Sequence, residues 1–174
     1  MQHNLTEVCA AKRCYTLTIN AFRTTETSEY KFYMRMNKNN SLHAVTKVLR
    51  PVNVPTWNFI LFQYGRNSQN MMFNTSVNVC NFWANMKRLR VVAQLAEYIL
   101  KRPNSGNLSL TCPLGVGTYT LENIHVPQEL SAFKLFYRPN TTYGLFGNVY
   151  DQMSKKKYAL KCSYEINATI YKLC

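Results

Sequence analysis

Apolar and polar positions alternate along most of this chain, the period of a half-buried strand. In "YTLTINAF" (15–22), Tyr15, Leu17 and Ile19 fall on one face and Thr16 and Thr18 on the other. "YKFYMRM" (30–36) sets Phe32, Met34 and Met36 against Lys31 and Arg35, and "MMFNTSVNV" (71–79) sets Met71, Phe73, Val77 and Val79 against Asn74, Ser76 and Asn78. "WNFILFQY" (57–64) is apolar on both faces, as expected of a strand covered on two sides. Further strands fit "TYTLENIHV", "FKLFYR", "GLFGNVY" and "KYALKCSYEINATIYKL", and the stretch around His43 is strand-like too. Breaks such as "GRNSQN" and "RPNTT" suit antiparallel hairpins. Nothing repeats internally and no linker divides residues 1–174, so a single domain is expected.

One segment breaks the pattern. From about Asn81 to Lys101, Phe82, Met86, Leu89, Ala93, Ala96 and Leu100 recur at steps of three and four, which predicts an amphipathic helix near residues 82–101. Lys101 and Arg102 suit its negative end, and Pro103 forbids continuation. Cys80 and Cys112 flank it. A bridge between them would tie the base of the helix to the segment that follows. Such a helix could form a lid over a pocket or simply close a solid sandwich; the pattern fits both.

Composition adds the compartment. Six cysteines are scattered to both ends without the close C-x2-C pairs of a zinc site, so disulfides, three if all pair, are expected rather than metal ligation. Cys80 with Cys112 is the expected pair, and the partners of Cys9, Cys14, Cys162 and Cys174 stay open. Asn-x-Ser/Thr sequons begin at Asn4, Asn39, Asn74, Asn107, Asn140 and Asn167. Together these predict a secreted, glycosylated, extracellular chain. "MQHNLTEVC" has no apolar leader, which fits a mature chain carrying an added Met1, and no apolar run is long enough for a membrane-spanning helix.

The formal charge is +13, from 21 Lys and Arg against 8 Asp and Glu. The cations are spread out, as on a solvated surface, although Lys87, Arg88 and Arg90 offer a contact for an anionic membrane. Basic residues and exposed aromatics do not form the interleaved face that nucleic acid requires, so that partner is not expected. Catalytic chemistry is equally absent from the pattern. Three histidines, one aspartate and no G-x-S-x-G, His-Glu-x-x-His or phosphate loop leave no nucleophile, metal cage or cofactor to argue from. An enzyme is therefore not expected. What the chain does hold in excess is soft apolar side chains: nine Phe, twelve Tyr, seven Met and two Trp.

The residues Asn74, Val77, Cys80 and Phe82, then a helix, then Thr111, Cys112 and Pro113 carry a resemblance. This "N-x-T-V-x-x-C-x-F … T-C-P" order resembles a family of secreted insect proteins of unknown function that includes the CheB-type chemosensory proteins. Asn78 stands where family members often have Asp, Cys9 and Cys14 are closer than the usual pair, and Cys162 and Cys174 look like additions. That family in turn resembles ganglioside-activator and ML lipid-recognition domains. The resemblance implies a mostly β, antiparallel two-sheet sandwich or β-cup, immunoglobulin-like, holding an apolar ligand between its sheets. Its role would be in chemosensation, such as pheromone binding, or in lipid carriage, with a membrane receptor or ion channel as a further partner. The candidate ligand-binding residues are Phe82, Trp83, Met86, Leu89 and Val92 from the helix region and Trp57, Phe59, Leu61, Phe73, Phe133 and Leu135 from strands. A solid-cored extracellular interaction module and a basic membrane-active defence protein are the alternative readings.

Overall fold

Hairpin-linked strands with one apolar face must find a second apolar face to cover it. In the computed structural model, which describes residues 14–37, 41–82, 106–108, 112–125 and 131–174, two antiparallel sheets do this. The strands are β1 (Tyr15–Glu26), β2 (Tyr30–Met36), β3 (Ser41–Val48), β4 (Pro55–Tyr64), β5 (Gln69–Asn78), β6 (Gly117–His125), β7 (Thr142–Ser154) and β8 (Lys157–Lys172). One sheet has the order β1-β8-β7-β4-β5 and the other β2-β3-β6. The architecture is the expected two-sheet β-sandwich.

Register fixes which side chains look inward. Trp57 lies opposite Val149 on β7 and Val77 on β5, and Val149 lies opposite Cys162 on β8. Tyr30 pairs with Val48 across β2 and β3. These residues meet in one core, where Tyr30, Val48, Val52, Leu114, Val149 and Cys162 are buried and Phe32, Trp57 and Tyr119 pack against them. Tyr164 continues the same face, its ring 5.7 Å from that of Phe32. Gly147 makes room for Tyr164, because a Cβ there would sit only 1.9 Å from the phenol Cζ.

Two polar groups tie down this packed end. Glu29, in the β1–β2 turn, meets Arg50 at 2.5 Å and the nearly buried Lys161 at 2.6 Å. The hydrogen bond from Lys161 is the main cause that holds the Glu29 carboxyl below its usual value, against the opposing effect of desolvation. Asp151, buried on β7, accepts from the Val54 amide at 3.0 Å.

The cysteines correct one expectation. Cys14 bonds Cys174 and Cys80 bonds Cys112, but Cys162 is a free, buried thiol. It sits among apolar neighbours in the core, and burial pushes its pKa up to about 12. Cys9 lies outside the described residues.

A second correction concerns "FKLFYR". Its alternation suggested a strand, yet Ser131–Phe136 forms a short helix, α1. Phe133, Phe136 and Tyr137 stand at helical spacing, and all three belong to one apolar cluster with Tyr143, Ile170, Leu17 and Leu61. The Tyr137 amide donates to the Phe133 carbonyl at 2.8 Å, a helical bond. Packing Phe133, Phe136 and Tyr137 on one side outweighs the two-residue alternation, and the helix leaves Leu135 73% exposed.

Candidate ligand-binding site between the sheets

The inner face of the five-stranded sheet is covered at its two ends by different elements. The three-stranded sheet closes one end through Tyr30, Phe32 and Val48, and α1 closes the other through Phe133. Between these lids the floor is apolar but half-buried. Phe59, Leu145 and Ile166 share the inward face with Trp57, Val149 and Cys162, and none of the three is buried. Beyond Phe32 on β2, Met34 and Met36 alternate onto the inner face of the smaller sheet, joined on β6 by Leu121, and these too are half-buried. Their shared half-exposure sets them apart from the buried cluster around Val48 and Val52, while Ala44 and Ile124 on the same face of the smaller sheet are buried.

Candidate residues divide accordingly. Trp57, Phe59 and Leu61 lie on the inward face of β4, and Phe73 pairs with Leu61 at its rim, 36% exposed. Phe82 is buried and presents its ring edge-on to Trp57, centroids 6.3 Å apart. It is positioned by a single 3-10 turn, Val79–Asn81, whose Asn78 side chain accepts from the Cys80 amide at 2.9 Å. The Cys80–Cys112 bridge, with Cα atoms 5.3 Å apart, fixes that turn. Phe133 serves as a wall of the α1 cluster rather than as a strand residue, and Leu135 points away from it. Trp83, Met86, Leu89 and Val92, like the rest of the predicted helix at 82–101, lie outside the described residues, as do Lys87, Arg88 and Arg90.

One polar atom stands out against this apolar lining. The Trp57 Nε1 is buried and has no hydrogen-bond acceptor among the described residues. A buried indole N–H normally finds a partner, and leaving it unpaired costs about 1–3 kcal/mol. Nearby, burial raises the Tyr30 and Tyr164 phenols well above their usual range, with the neighbouring Cys162 thiol contributing to both.

A separate recess of about 370 Å³ lies outside the inter-sheet space, lined by Tyr64, Gly65, Arg66, Asn140 and Thr142. It is open and shallow, and two of its lining residues are the sequon Asn140 and the hydroxyl residue Thr142. Among the described residues no cluster of His, Cys, Asp or Glu could hold a metal ion, and no helix is long and apolar enough to cross a membrane.

Residues 57–145, just over half of the chain, match the model of a family described as protein of unknown function, DUF1091. The chain belongs to this family. The DUF1091 match begins at Trp57 and ends at Leu145, so it takes in β4, β5, the Cys80–Cys112 bridge, β6 and α1. It therefore contains the inward-facing Trp57, Phe59 and Leu61 of β4 and none of β1, β2, β3 or β8. No curated protein matches the chain.

Met34, Met36 and Leu121 were not among the candidate residues, although Met34 and Met36 were legible as one face of β2 and the stretch around His43, which pairs with β2, reads as a strand. The signal was present in "SLHAVTKV", where Leu42, Ala44, Thr46 and Val48 alternate with His43, Val45 and Lys47.

Proposed function

We propose that this DUF1091 protein is an extracellular binding protein that holds an apolar ligand, a lipid, fatty acid or hydrocarbon, between its two sheets. The observation that carries the reading is the half-buried apolar lining between two closed ends, with Phe59, Leu145 and Ile166 below and Met34, Met36 and Leu121 above. Each methylene moved from water into such a cleft gains about 0.8 kcal/mol, so an alkyl chain of modest length reaches micromolar affinity with little polar recognition. Methionine lining suits ligands of varied shape.

The resemblance to CheB-type and ML lipid-recognition proteins supports the same reading and suggests chemosensory or carrier roles. Two disulfides fit an oxidising compartment.

Native mass spectrometry of the protein secreted from insect cells, followed by organic extraction, tests the proposal. A reproducible adduct in the mass range of fatty acids, sterols or hydrocarbons is the expected result. A clean mass with no uptake from an added lipid panel would overturn it and favour a solid-cored interaction module.

A further inference from the structure

Each sheet has two edges, and an exposed edge strand invites pairing with another chain unless something blunts it. Among the described residues the four edge strands are β1 and β5 of the larger sheet and β2 and β6 of the smaller. Three carry charges: Arg23 and Glu26 on β1, Lys31 and Arg35 on β2, and Glu122 on β6. The fourth, β5, reads "QNMMFNTSVN" and has neither a charge nor a proline, in a chain with 21 Lys and Arg. It is also the most exposed edge in apolar terms, with Met71 60%, Met72 41% and Phe73 36% exposed. Only the register shift opposite Leu61 and Phe62 disturbs its regularity.

This one uncharged edge is also the edge that carries a sequon, Asn74-Thr75-Ser76. Asn74 is exposed, and its side chain and that of Ser76 are held on the outer face of the sheet by Asn58, whose Nδ2 donates to Asn74 Oδ1 at 2.8 Å and to Ser76 Oγ at 3.2 Å. That arrangement uses the Asn74 oxygen and leaves Nδ2, the atom that bears an N-glycan, without a partner among the described residues.

We propose that Asn74 carries an N-linked glycan that guards the β5 edge against strand-to-strand pairing with a second copy of the chain. The inference rests on the extracellular reading above, since the sugar donor is a lipid-diphosphate oligosaccharide of the secretory membrane. In the transfer, Asn74 Nδ2 forms a bond to the anomeric carbon and loses one proton, the bond from that carbon to the diphosphate oxygen breaks, and the lipid diphosphate leaves. A bulky, hydrated group on the outer face of an edge strand blocks approach of a second strand as a charged side chain does on β1 and β2.

The test is glycopeptide mass spectrometry of the insect-cell protein, with light scattering of wild type and Asn74→Gln across a wide concentration range. Occupied Asn74, a monomeric wild type and concentration-dependent loss of the Asn74→Gln monomer are expected. Adding Met72→Lys to Asn74→Gln should restore the monomer by giving the edge the charge it lacks. Enzymatic trimming of the folded glycoprotein provides the same comparison if Asn74→Gln is not secreted. Glycans at other sequons but not at Asn74, or a deglycosylated protein that stays monomeric, would overturn the guard. Absence of sugar at every sequon would overturn it together with the extracellular reading, while leaving the apolar cleft to its own test.

Discussion

Gly147→Ala places a single methyl group against the ring of Tyr164, beside the packed core. The added Cβ would lie 1.9 Å from Tyr164 Cζ, 2.3 Å from its hydroxyl oxygen and 2.4 Å from Cε1. No real contact is that short, so the ring must move. It cannot move freely, because Phe32 lies against it, ring centroids 5.7 Å apart, and Phe32 packs on the core around Tyr30 and Cys162. Overpacking of this kind costs about 1–3 kcal/mol. In a chain of this size each kcal/mol lowers the melting temperature by about 2–4 °C, so a fall of about 2–12 °C is expected by thermal denaturation. Combining the change with Tyr164→Leu removes the colliding ring, and the double variant should lose less than the sum of the two single losses. An unchanged melting temperature for Gly147→Ala would refute the placement of Tyr164 across Gly147.

Three further outcomes follow from other parts of the structure. Cys162, a buried thiol with its pKa raised to about 12, should resist iodoacetamide at pH 8 in the native protein and react fully in denaturant; rapid native alkylation would contradict its burial. Asp151→Ala removes the buried acceptor of the Val54 amide and should cost about 1–3 kcal/mol in urea titrations. Glu29 has a depressed folded pKa, so its contribution is present above the unfolded value near 4.5 and is lost as pH falls through the folded value. Glu29→Gln should therefore flatten stability against pH below that point and lower stability at neutral pH, where Lys161 loses its partner; an acid limb identical to wild type would exclude the role.

Strand positions were legible where one face meets solvent. "YKFYMRM" and "MMFNTSVNV" announce β2 and β5 because apolar and polar residues largely alternate in them, whereas "WNFILFQY" is apolar on both faces and only the register against β5 and β7 turns Trp57, Phe59 and Leu61 inward. "FKLFYR" failed because six residues satisfy both a two-residue and a helical period, and only the aromatic surface they land on decides between them. Cysteine pairing was half legible. An even count says nothing of a thiol such as Cys162, whose burial among apolar side chains is a property of the assembled sheets. Whether the inner faces close on one another was not legible at all, since the same alternating strands build a solid core or a cleft depending on how far two sheets diverge.

The Cys14–Cys174 bridge has a mechanical meaning. It joins the start of β1 to the end of β8 across a Cα separation of 5.0 Å, enclosing 160 residues of sequence. Tension entering the chain at residue 14 and leaving at residue 174 passes through one pair of sulfur atoms and bypasses every strand. The sheets between are unloaded, so a pull along this line would leave their packing undisturbed until the bridge itself was reduced.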